Sequence, residues 1–359
     1  MSQKALLFRL RISGESHKDT VNSINELAAL VTTLQIKVIN FIIQTKEKPD
    51  RSFLMGKGKV DELKQIIEDE NIDILICDNQ LSPVQQRNLE KRLEIDVYDR
   101  VAIILDIFQR RATTMEGKLQ VEIARMKYFL TRLIGKGVIL SRQGGGIGTK
   151  GIGETKLELD RRKIRKRIDR LAKKLSKMKN HRELQRKSRR KSGVFQVSLV
   201  GYTNAGKSTI MKLLSKSEPF VADSLFATLD PLVRRVYIDD ENEILLSDTV
   251  GFIRNLPTFL IDAFRSTLEE ITEASLLLNV IDLSDTFHKE HKHATLSVLA
   301  ELGALDIPII TVYNKIDSVE PEILKMTKAE EDREHVFISA IDRIGIDELK
   351  SLIINRMSR

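Results

Sequence analysis

One stretch of the sequence combines glycines, a lysine and a hydroxyl at the spacing of a phosphate-binding loop. Gly201, Gly206, Lys207 and Ser208 follow the mostly apolar run 194–200. Glycines permit a tight turn in which backbone amides and the N-terminus of the next helix face an anion. The lysine supplies positive charge to the β- and γ-phosphates, and the serine hydroxyl can bind Mg²⁺. The other loop residues predicted around the phosphates are Tyr202, Thr203, Asn204, Ala205 and Thr209.

A carboxylate and a glycine follow a second apolar run, 244–247. Asp248 and Gly251 enclose Thr249 and Val250, and Asp248 lies 40 residues after the serine of the phosphate-binding loop. An aspartate at a strand end can hold Mg²⁺ through a water molecule, while the glycine amide can reach a γ-phosphate. We therefore include residues 248–251 in the predicted nucleotide site, with Mg²⁺ as its metal.

Two further motifs predict that the base is guanine. Residues 314–317, Asn314-Lys315-Ile316-Asp317, follow the apolar run 307–313. The Asp317 carboxylate would accept from the two donors on the guanine edge, whereas adenine offers no matching pair. Asn314 is expected to brace this loop. Ser339 and Ala340 end the last apolar run and would present a backbone amide to guanine O6. The four motifs in this order predict binding of GTP and GDP and hydrolysis of GTP.

The segment between residues 218 and 234 is expected to sense the γ-phosphate. Within it, Phe226-Ala227-Thr228 contains the best additional Mg²⁺ ligand, the hydroxyl of Thr228. The predicted Mg²⁺ ligands are therefore Ser208 and Thr228, with Asp248 acting through water.

Phe252 follows Gly251 at the position where many small GTPases place a glutamine that orients the attacking water. A phenyl ring cannot orient water by hydrogen bonding. We therefore predict slow intrinsic hydrolysis that a partner accelerates, with Lys207, Thr228 and Gly251 as the catalytic residues.

Three histidines, His288, His291 and His293, have a spacing that invites a metal interpretation. No acidic or cysteine ligand completes such a site in the sequence, so a solvated helix start is the favoured interpretation.

The expected fold class is α/β. Residues 1–112 predict a small α/β domain, residues 113–192 an antiparallel helical coiled-coil hairpin with a glycine-rich tip at 141–153, and residues 193–359 a P-loop GTPase domain with a doubly wound, mainly parallel sheet. Strands are predicted at 6–10, 38–43, 72–77, 95–98, 194–200, 235–239, 244–247, 276–281, 307–313 and 336–339. Helices are predicted at 23–33, 60–70 and 83–93, and beginning near residues 207, 258, 292, 321 and 346. The basic stretch 56–59 could contact phosphate, but a plain turn is the favoured interpretation.

The hairpin prediction depends on the period of the apolar residues. Steps of three and four residues connect Leu119, Ile123, Met126, Leu130 and Leu133, and again Ile164, Ile168, Leu171, Leu175 and Met178. The tip between the two series has six glycines in thirteen residues, which no helix would tolerate. A flexible linker and a probe that contacts RNA remain the two interpretations of the tip.

The charge of the chain is concentrated in one element. Of the formal net charge of +8, residues 156–191 contribute 18 − 4 = +14, because they contain 18 Lys and Arg against 4 Asp and Glu, which leaves 8 − 14 = −6 elsewhere. Such an element fits a polyanion, RNA or DNA, although a solvated helix face is the simpler alternative.

The composition excludes a membrane span and an internal disulfide. No run approaches the ~18 consecutive apolar residues of a transmembrane helix, and the N-terminus lacks the features of a signal peptide. The single cysteine, Cys77, lies in an apolar run and is expected to be a buried strand residue. We expect a cytoplasmic, monomeric protein.

With these residues in view, the sequence resembles the HflX family of ribosome-associated GTPases. The resemblance covers nearly the whole chain and rests on residues 56–60, 81–89, 106–112, 116–122, the glycine-rich tip, 201–209, 226–231 and 248–254. It implies binding to the large ribosomal subunit and its RNA, a role in splitting ribosomes, and a hairpin tip, residues 142–153, that lies against ribosomal RNA near the peptidyl-transferase centre. A hydrophobic residue in place of the catalytic glutamine is also a family feature, which Phe252 matches, and the family threonine of the first switch matches Thr228.

The sequence departs from the family pattern at two places. Leu232 and Val233 stand where the family has two threonines, and the chain stops at Arg359 where many members continue into a further domain. We expect contacts made by such an extension to be absent or replaced. Besides ribosome splitting, the hypotheses that remain open are a ribosome-assembly factor, an anti-association factor whose hydrolysis serves only release, and nucleotide-independent RNA binding by the hairpin.

Overall fold

The computed structural model describes residues 2–143, 152–191, 193–215, 226, 228–254, 259–260, 264–330 and 334–358. The chain separates into two compact units. The first comprises Met1–Arg110 and Leu119–Leu175, and the second comprises Arg111–Lys118 and Ser176–Arg359. The predicted division into three domains remains a prediction. Among the described residues, no helix is long and apolar enough to cross a membrane.

The first unit contains a four-stranded parallel sheet in the order β2-β1-β3-β4. Its elements are β1 (Lys4–Ile12), α1 (His17–Thr33), β2 (Lys37–Lys46), α2 (Lys57–Glu70), β3 (Ile74–Cys77), α3 (Pro83–Leu93), β4 (Asp96–Asp99) and α4 (Arg100–Arg111). Every predicted strand and helix of this region is present. Cys77 is buried in β3, as expected, and Ser82 caps α3 in a capping box with Gln85.

Two features of this unit differ from the prediction. Residues 57–59 form the first turn of α2, with Gly56 as its N-cap, rather than a plain turn. Helix α4 was not predicted, because its residues 101–105 are continuously apolar and are buried on all sides. A run of five apolar residues does not by itself distinguish a buried helix from a buried strand, and the exposed Gln109 and Arg110 come only near the end of the helix.

Two long helices follow, α5 (Met115–Gln143) and α6 (Ile152–Lys191). Arg167 of α6 forms an ion pair with Glu122 of α5. Ile164, three residues earlier in α6, lines the same cleft as Met126 and Leu133, which lie later in α5. This register makes the pairing antiparallel. Residues 144–151 of the predicted tip lie outside the described residues.

The second unit contains a six-stranded sheet in the order β10-β9-β8-β5-β7-β6, which is parallel except for the β6–β7 pair. Its strands are β5 (Phe195–Gly201), β6 (Leu232–Tyr237), β7 (Glu243–Asp248), β8 (Leu276–Asp282), β9 (Ile309–Asn314) and β10 (His335–Phe337). Its helices are α7 (Lys207–Ser215), α8 (Arg265–Thr272), α9 (His288–Glu301), α10 (Pro321–Glu330) and α11 (Ile346–Met357). The predicted doubly wound α/β fold is confirmed.

The topology brings the predicted motifs to one edge of the sheet. Strands β5, β7 and β9 are parallel and end at Gly201, Asp248 and Asn314. The apolar residues of these strands that pack in the core are fully buried, so the strands position the loops that follow them. The edge of an open α/β sheet at the carboxyl ends of its strands is where ligands bind. The predicted helix start near residue 258 falls on residues 255–258, which lie outside the described part.

Candidate guanine-nucleotide site

The loop between β5 and α7 has the backbone shape of a phosphate-binding loop. Gly201 and Gly206 have φ angles of +140° and +96°. A Cβ atom at Gly201 would lie 2.2 Å from the Val280 carbonyl oxygen, and one at Gly206 would lie 2.2 Å from Asn314 Nδ2. Both positions therefore require glycine for conformation and for space. Asn204 also has a positive φ, +62°, which asparagine tolerates.

Lys207 is buried at the first turn of α7. Its Nζ atom donates to the carbonyl oxygens of Gly201 at 3.0 Å and Tyr202 at 2.7 Å. Burial lowers the pKa of Lys207 to about 8, although the nearby Asp248 carboxylate acts in the opposite direction. An anion beside this ammonium group would stabilise its charged form. The side chain is thus placed and electrostatically suited to receive phosphate.

Three oxygen atoms meet next to Lys207. Ser208 Oγ donates to Asp248 Oδ2 at 2.7 Å, Thr228 Oγ1 donates to the same oxygen at 3.0 Å, and the two hydroxyl oxygens are 3.0 Å apart. Asp248 Oδ1 is buried without a hydrogen-bond partner. Burial raises the pKa of Asp248, against the effects of Lys207 and of the two hydroxyl donors. The three predicted Mg²⁺ residues therefore lie together.

This oxygen cluster fits Mg²⁺, which prefers hard oxygen ligands and keeps several water molecules. Each hydroxyl keeps a lone pair for the metal while it donates to Asp248. The unpartnered Oδ1 atom of Asp248 can accept from a water molecule on the metal. Bound there, Mg²⁺ would supply charge neutralisation for the phosphates.

The segment after β7 pairs with the phosphate-binding loop. The Phe252 amide donates to the Gly201 carbonyl at 3.1 Å, and the Thr203 amide donates to the Phe252 carbonyl at 2.8 Å. A Cβ atom at Gly251 would lie 2.8 Å from Thr203 Cγ2 and 3.1 Å from Lys207 Nζ. Only glycine fits at position 251, and its backbone lies close to the side chain of Lys207.

The side chains around Gly251 point into the protein. The Phe252 ring is 1% exposed and packs with Val200, Leu268 and Ile271. Thr249 is fully buried, and its hydroxyl donates to the Leu199 carbonyl at 2.7 Å. Val250 is also buried. Thr249 and Val250 were predicted as nucleotide-binding residues; because both side chains are buried, only their backbone atoms would be available to a nucleotide, and their role stays a prediction.

Asn314 connects three loops of the site. Its Nδ2 atom donates to the Ala205 carbonyl at 2.9 Å, and its Oδ1 atom accepts from the Ala340 amide at 3.1 Å. The Ala340 amide, which was predicted to face guanine O6, therefore donates within the protein, and a base oxygen would share this donor with Asn314. Ser339 is buried beside it, and its hydroxyl accepts from the Asp342 amide.

Asp317 lies exposed at the end of the same loop, open to a base. A hydrogen bond from Ser339 and another from Ser318 hold the pKa of Asp317 below its ordinary value, so it is an ionised acceptor. Lys315, with φ of +63°, pairs through Nζ with Asp282 Oδ2 at 2.6 Å. Ile316 is half-buried. The Asp317 carboxylate is thus held by two serine hydroxyls and remains exposed to a ligand.

Tyr202 and His291 form a contact that the sequence did not indicate. Their rings stack at 3.7 Å between centroids with 10° between the planes, and the Tyr202 hydroxyl accepts from the Arg254 amide at 2.6 Å. The interpretation of the histidines as a solvated helix start is wrong for His291, whose side chain is 11% exposed. No spacing rule connects a loop residue with a helix 89 positions later, so only the fold brings the rings together.

Three predicted residues remain. Phe226 is buried with a φ of +55°, Thr209 is half-buried in the first turn of α7, and Ala227 lies outside the described residues.

Three family profiles match the chain in sequence order. They are described as GTP-binding GTPase N-terminal over residues 21–109, GTP-binding GTPase Middle Region over residues 111–189, and 50S ribosome-binding GTPase over residues 196–315.

Curated relatives named GTPase HflX match along most of their length. The protein of Caldanaerobacter subterraneus subsp. tengcongensis is 45% identical over 351 residues, which cover 98% of this chain and 80% of that protein. The protein of Alkalihalophilus pseudofirmus is 49% identical over 295 residues, 82% of this chain and 70% of that protein. The protein of Escherichia coli is 42% identical over 339 residues, 94% of this chain and 80% of that protein.

Among solved structures, SsGBP in complex with GDP is similar with a TM-score of 0.54 and 27% identity, over 99% of this chain and 98% of that one.

The phosphate-binding loop, the aspartate at the end of β7 and the base loop thus lie in a chain that matches curated relatives over most of its length. The chain is a GTP-binding, GTP-hydrolysing enzyme and belongs to the HflX family of GTPases.

Proposed function

We propose that the chain associates with the large ribosomal subunit and splits or rescues ribosomes, and that the ribosome stimulates its GTPase activity. The observation that carries the proposal is the match of residues 196–315 to a 50S ribosome-binding GTPase. The proposed partner would place the chain in the cytoplasm.

The surface of α6 supports an RNA partner. Every lysine and arginine from Arg162 to Lys177 is exposed, whereas Ile164, Ile168 and Leu171 on the other face are half-buried or buried. The apolar stripe follows the predicted seam, and its Ile164 lines a cleft with Met126 and Leu133 of α5. The basic face is left for phosphates, which bind such surfaces largely through counterion release.

The nucleotide would be held by the residues described above. Lys207 and the amides of residues 204–209 would bind the phosphates, and Asp317 would accept from guanine. Ser208 and Thr228 would ligate Mg²⁺, with Asp248 acting through water. We propose Lys207, Thr228 and Gly251 as the residues that stabilise charge in the transition state, because they surround the place where the γ-phosphate would lie.

Slow intrinsic hydrolysis follows from the burial of Phe252. The position after Gly251 places its side chain in the core, so it contributes nothing to holding the attacking water. A group supplied by the partner would complete the site, as arginine fingers do in trans for other GTPases. The partner that the basic α6 fits is ribosomal RNA.

The decisive measurement is single-turnover GTP hydrolysis with and without purified large subunits. We expect a slow rate alone and an increase of at least about a hundredfold with large subunits, within the range of partner-stimulated GTPases. An isolated rate that is already fast, or one that large subunits leave unchanged, would reject the proposal.

Splitting assays separate this function from its alternatives. A splitting enzyme should dissociate many ribosomes per molecule with GTP and only about one with a non-hydrolysable analogue. Equal turnover with both nucleotides would favour an anti-association factor. Selective co-sedimentation of the GTP-locked protein with immature large subunits would favour an assembly factor.

A salt titration tests the basic face of α6. If phosphate contacts dominate, the affinity for large subunits should fall by orders of magnitude between about 50 and 200 mM salt. An affinity that does not depend on salt would exclude α6 as the anchor.

A further inference from the structure

Asp230 holds the start of helix α5 through four hydrogen bonds. Its Oδ2 atom accepts from the backbone amides of Thr113 and Thr114 and from the Thr113 hydroxyl, all at 2.8 Å. Its Oδ1 atom accepts from the Thr114 hydroxyl at 2.5 Å. Residues 111–118 belong to the same compact unit as Asp230, so this contact is internal to that unit.

The start of α5 is shaped for this carboxylate. The Thr114 hydroxyl also accepts from the Gly117 amide at 3.0 Å, which caps the helix. A Cβ atom at Gly117 would lie 2.2 Å from Asp230 Oδ1, so the carboxylate occupies the space that a side chain would need. The positive end of the helix dipole favours a negative charge at this place.

The carboxylate is ionised in this contact. Burial acts to raise the pKa of Asp230, but the hydrogen bonds from Thr114 and Thr113 outweigh it and hold the pKa below its ordinary value. Four donors to one charged group make a strong and specific contact, because charge-assisted hydrogen bonds exceed neutral ones in strength.

The same short segment contacts the proposed metal site. Thr228, two residues before Asp230, lies 3.0 Å from both Ser208 Oγ and Asp248 Oδ2 through its hydroxyl. Helix α5 continues from Thr114 without a break to Gln143, next to the glycine-rich residues. One segment therefore contacts the oxygens proposed for Mg²⁺ at one residue and the first turn of α5 at another.

We propose that the contact of Asp230 with Thr113 and Thr114 couples the bound nucleotide to helix α5. With GTP and Mg²⁺ bound, Thr228 would ligate the metal and Asp230 would keep its hydrogen bonds to Thr113 and Thr114. Loss of the γ-phosphate would release Thr228 and weaken these hydrogen bonds. The inference rests on the proposed role of Thr228. Coupling between two sites is reciprocal, so a contact that is stronger with GTP than with GDP raises the affinity for GTP more than the affinity for GDP.

Nucleotide affinities of two variants test this statement from both sides of the contact. Asp230→Ala removes the acceptor, and Thr114→Val removes one of the donors on the helix side of the contact, at a residue outside the predicted nucleotide-binding set. Each variant should bind a fluorescent non-hydrolysable GTP analogue at least about fivefold more weakly in Mg²⁺, at the lower end of ordinary allosteric coupling. Affinity for the matching GDP probe should stay within about twofold.

The control for Thr114→Val is Thr131→Val. The Thr131 hydroxyl also lies on α5, but it donates to the Tyr128 carbonyl of its own helix and not to Asp230. Its removal should leave both affinities unchanged. Because Asp230→Ala could unfold the chain, each variant is first compared with the wild type by circular dichroism and thermal unfolding.

Amide hydrogen exchange gives a direct readout of the contact in the wild type. The amides of Thr113 and Thr114 donate to Asp230, so they should exchange more slowly with the GTP analogue than with GDP. Equal exchange in the two nucleotides, or an equal loss of both affinities in the variants, would overturn the proposal and leave a purely structural contact.

The variant Thr228→Val distinguishes failure of the metal assignment from failure of the proposed coupling to α5. If it leaves the Mg²⁺ dependence of GTP-analogue binding intact, the assignment of Thr228 to the metal is wrong. If it abolishes that dependence while Asp230→Ala affects GTP and GDP alike, the metal site stands and the coupling to α5 is rejected.

Discussion

The substitution Phe252→Gln tests what the residue after Gly251 does. By analogy with small GTPases, glutamine at this position would be expected to orient water and speed hydrolysis. The structure predicts no increase in the rate and a loss of stability, because the Phe252 ring is 1% exposed and packs with Val200, Leu268 and Ile271. A glutamine side chain would replace the ring inside this cluster.

The size of the effect follows from two contributions. Loss of the buried phenyl ring removes about 1.5–3 kcal/mol of favourable transfer free energy. Burial of an amide without hydrogen-bond partners adds about 1–3 kcal/mol of cost. We therefore expect Phe252→Gln to lower the free energy of unfolding by about 2.5–6 kcal/mol, a large share of the stability of an ordinary domain.

Urea unfolding followed by circular dichroism measures this change, with Phe252→Leu as the matched control. Leucine keeps an apolar side chain and should cost about 1–2 kcal/mol. In single-turnover assays without ribosomes, the glutamine variant should hydrolyse GTP no faster than the wild type. An unchanged urea midpoint together with a rate at least about tenfold higher would show that the side chain faces the nucleotide and would refute this reasoning.

Three further outcomes are expected. Burial lowers the pKa of Lys207 to about 8, and bound phosphate favours its charged form. GTP should therefore bind about tenfold more weakly at pH 9 than at pH 7. An affinity that does not change across this range in isothermal titration would contradict the argument. Asp317→Asn presents a donor where guanine also presents one, so it should weaken GTP binding at least about a hundredfold and favour xanthosine triphosphate, measured by competition. Arg100→Met removes the cation that Glu26 and Asp78 share and leaves Asp78 with Arg9 as its cation. It should lower the free energy of unfolding by about 3 kcal/mol, at the lower end for a broken buried pair; an unchanged thermal unfolding temperature would contradict this.

The nucleotide site is the part of the protein that local sequence specified best. Lys207, Ser208 and Asp317 stand at fixed spacings because the phosphates and the base have fixed sizes, and each motif follows a strand that can be predicted from its apolar run. Most strand positions were predicted for the same reason, whereas β6 begins at Leu232 instead of Arg235, since strand ends depend on pairing with β7.

Helix α4 was not predicted, because its residues 101–105 form a short apolar run that is buried. Such a run by itself does not distinguish a buried helix from a buried strand. Only the space between its neighbours in the structure decides which form it takes.

Local motifs alone predict that this protein binds guanine nucleotide, carries a strongly basic helix and has a phenylalanine after Gly251. The burial of this ring in the core, the stacking of His291 on Tyr202 and the hydrogen bonds of Asp230 to the start of α5 are visible only in the folded chain. Each of these contacts joins residues far apart in the chain. Local motifs record what a ligand of fixed shape demands, whereas contacts between distant segments depend on how the whole sheet and its helices pack.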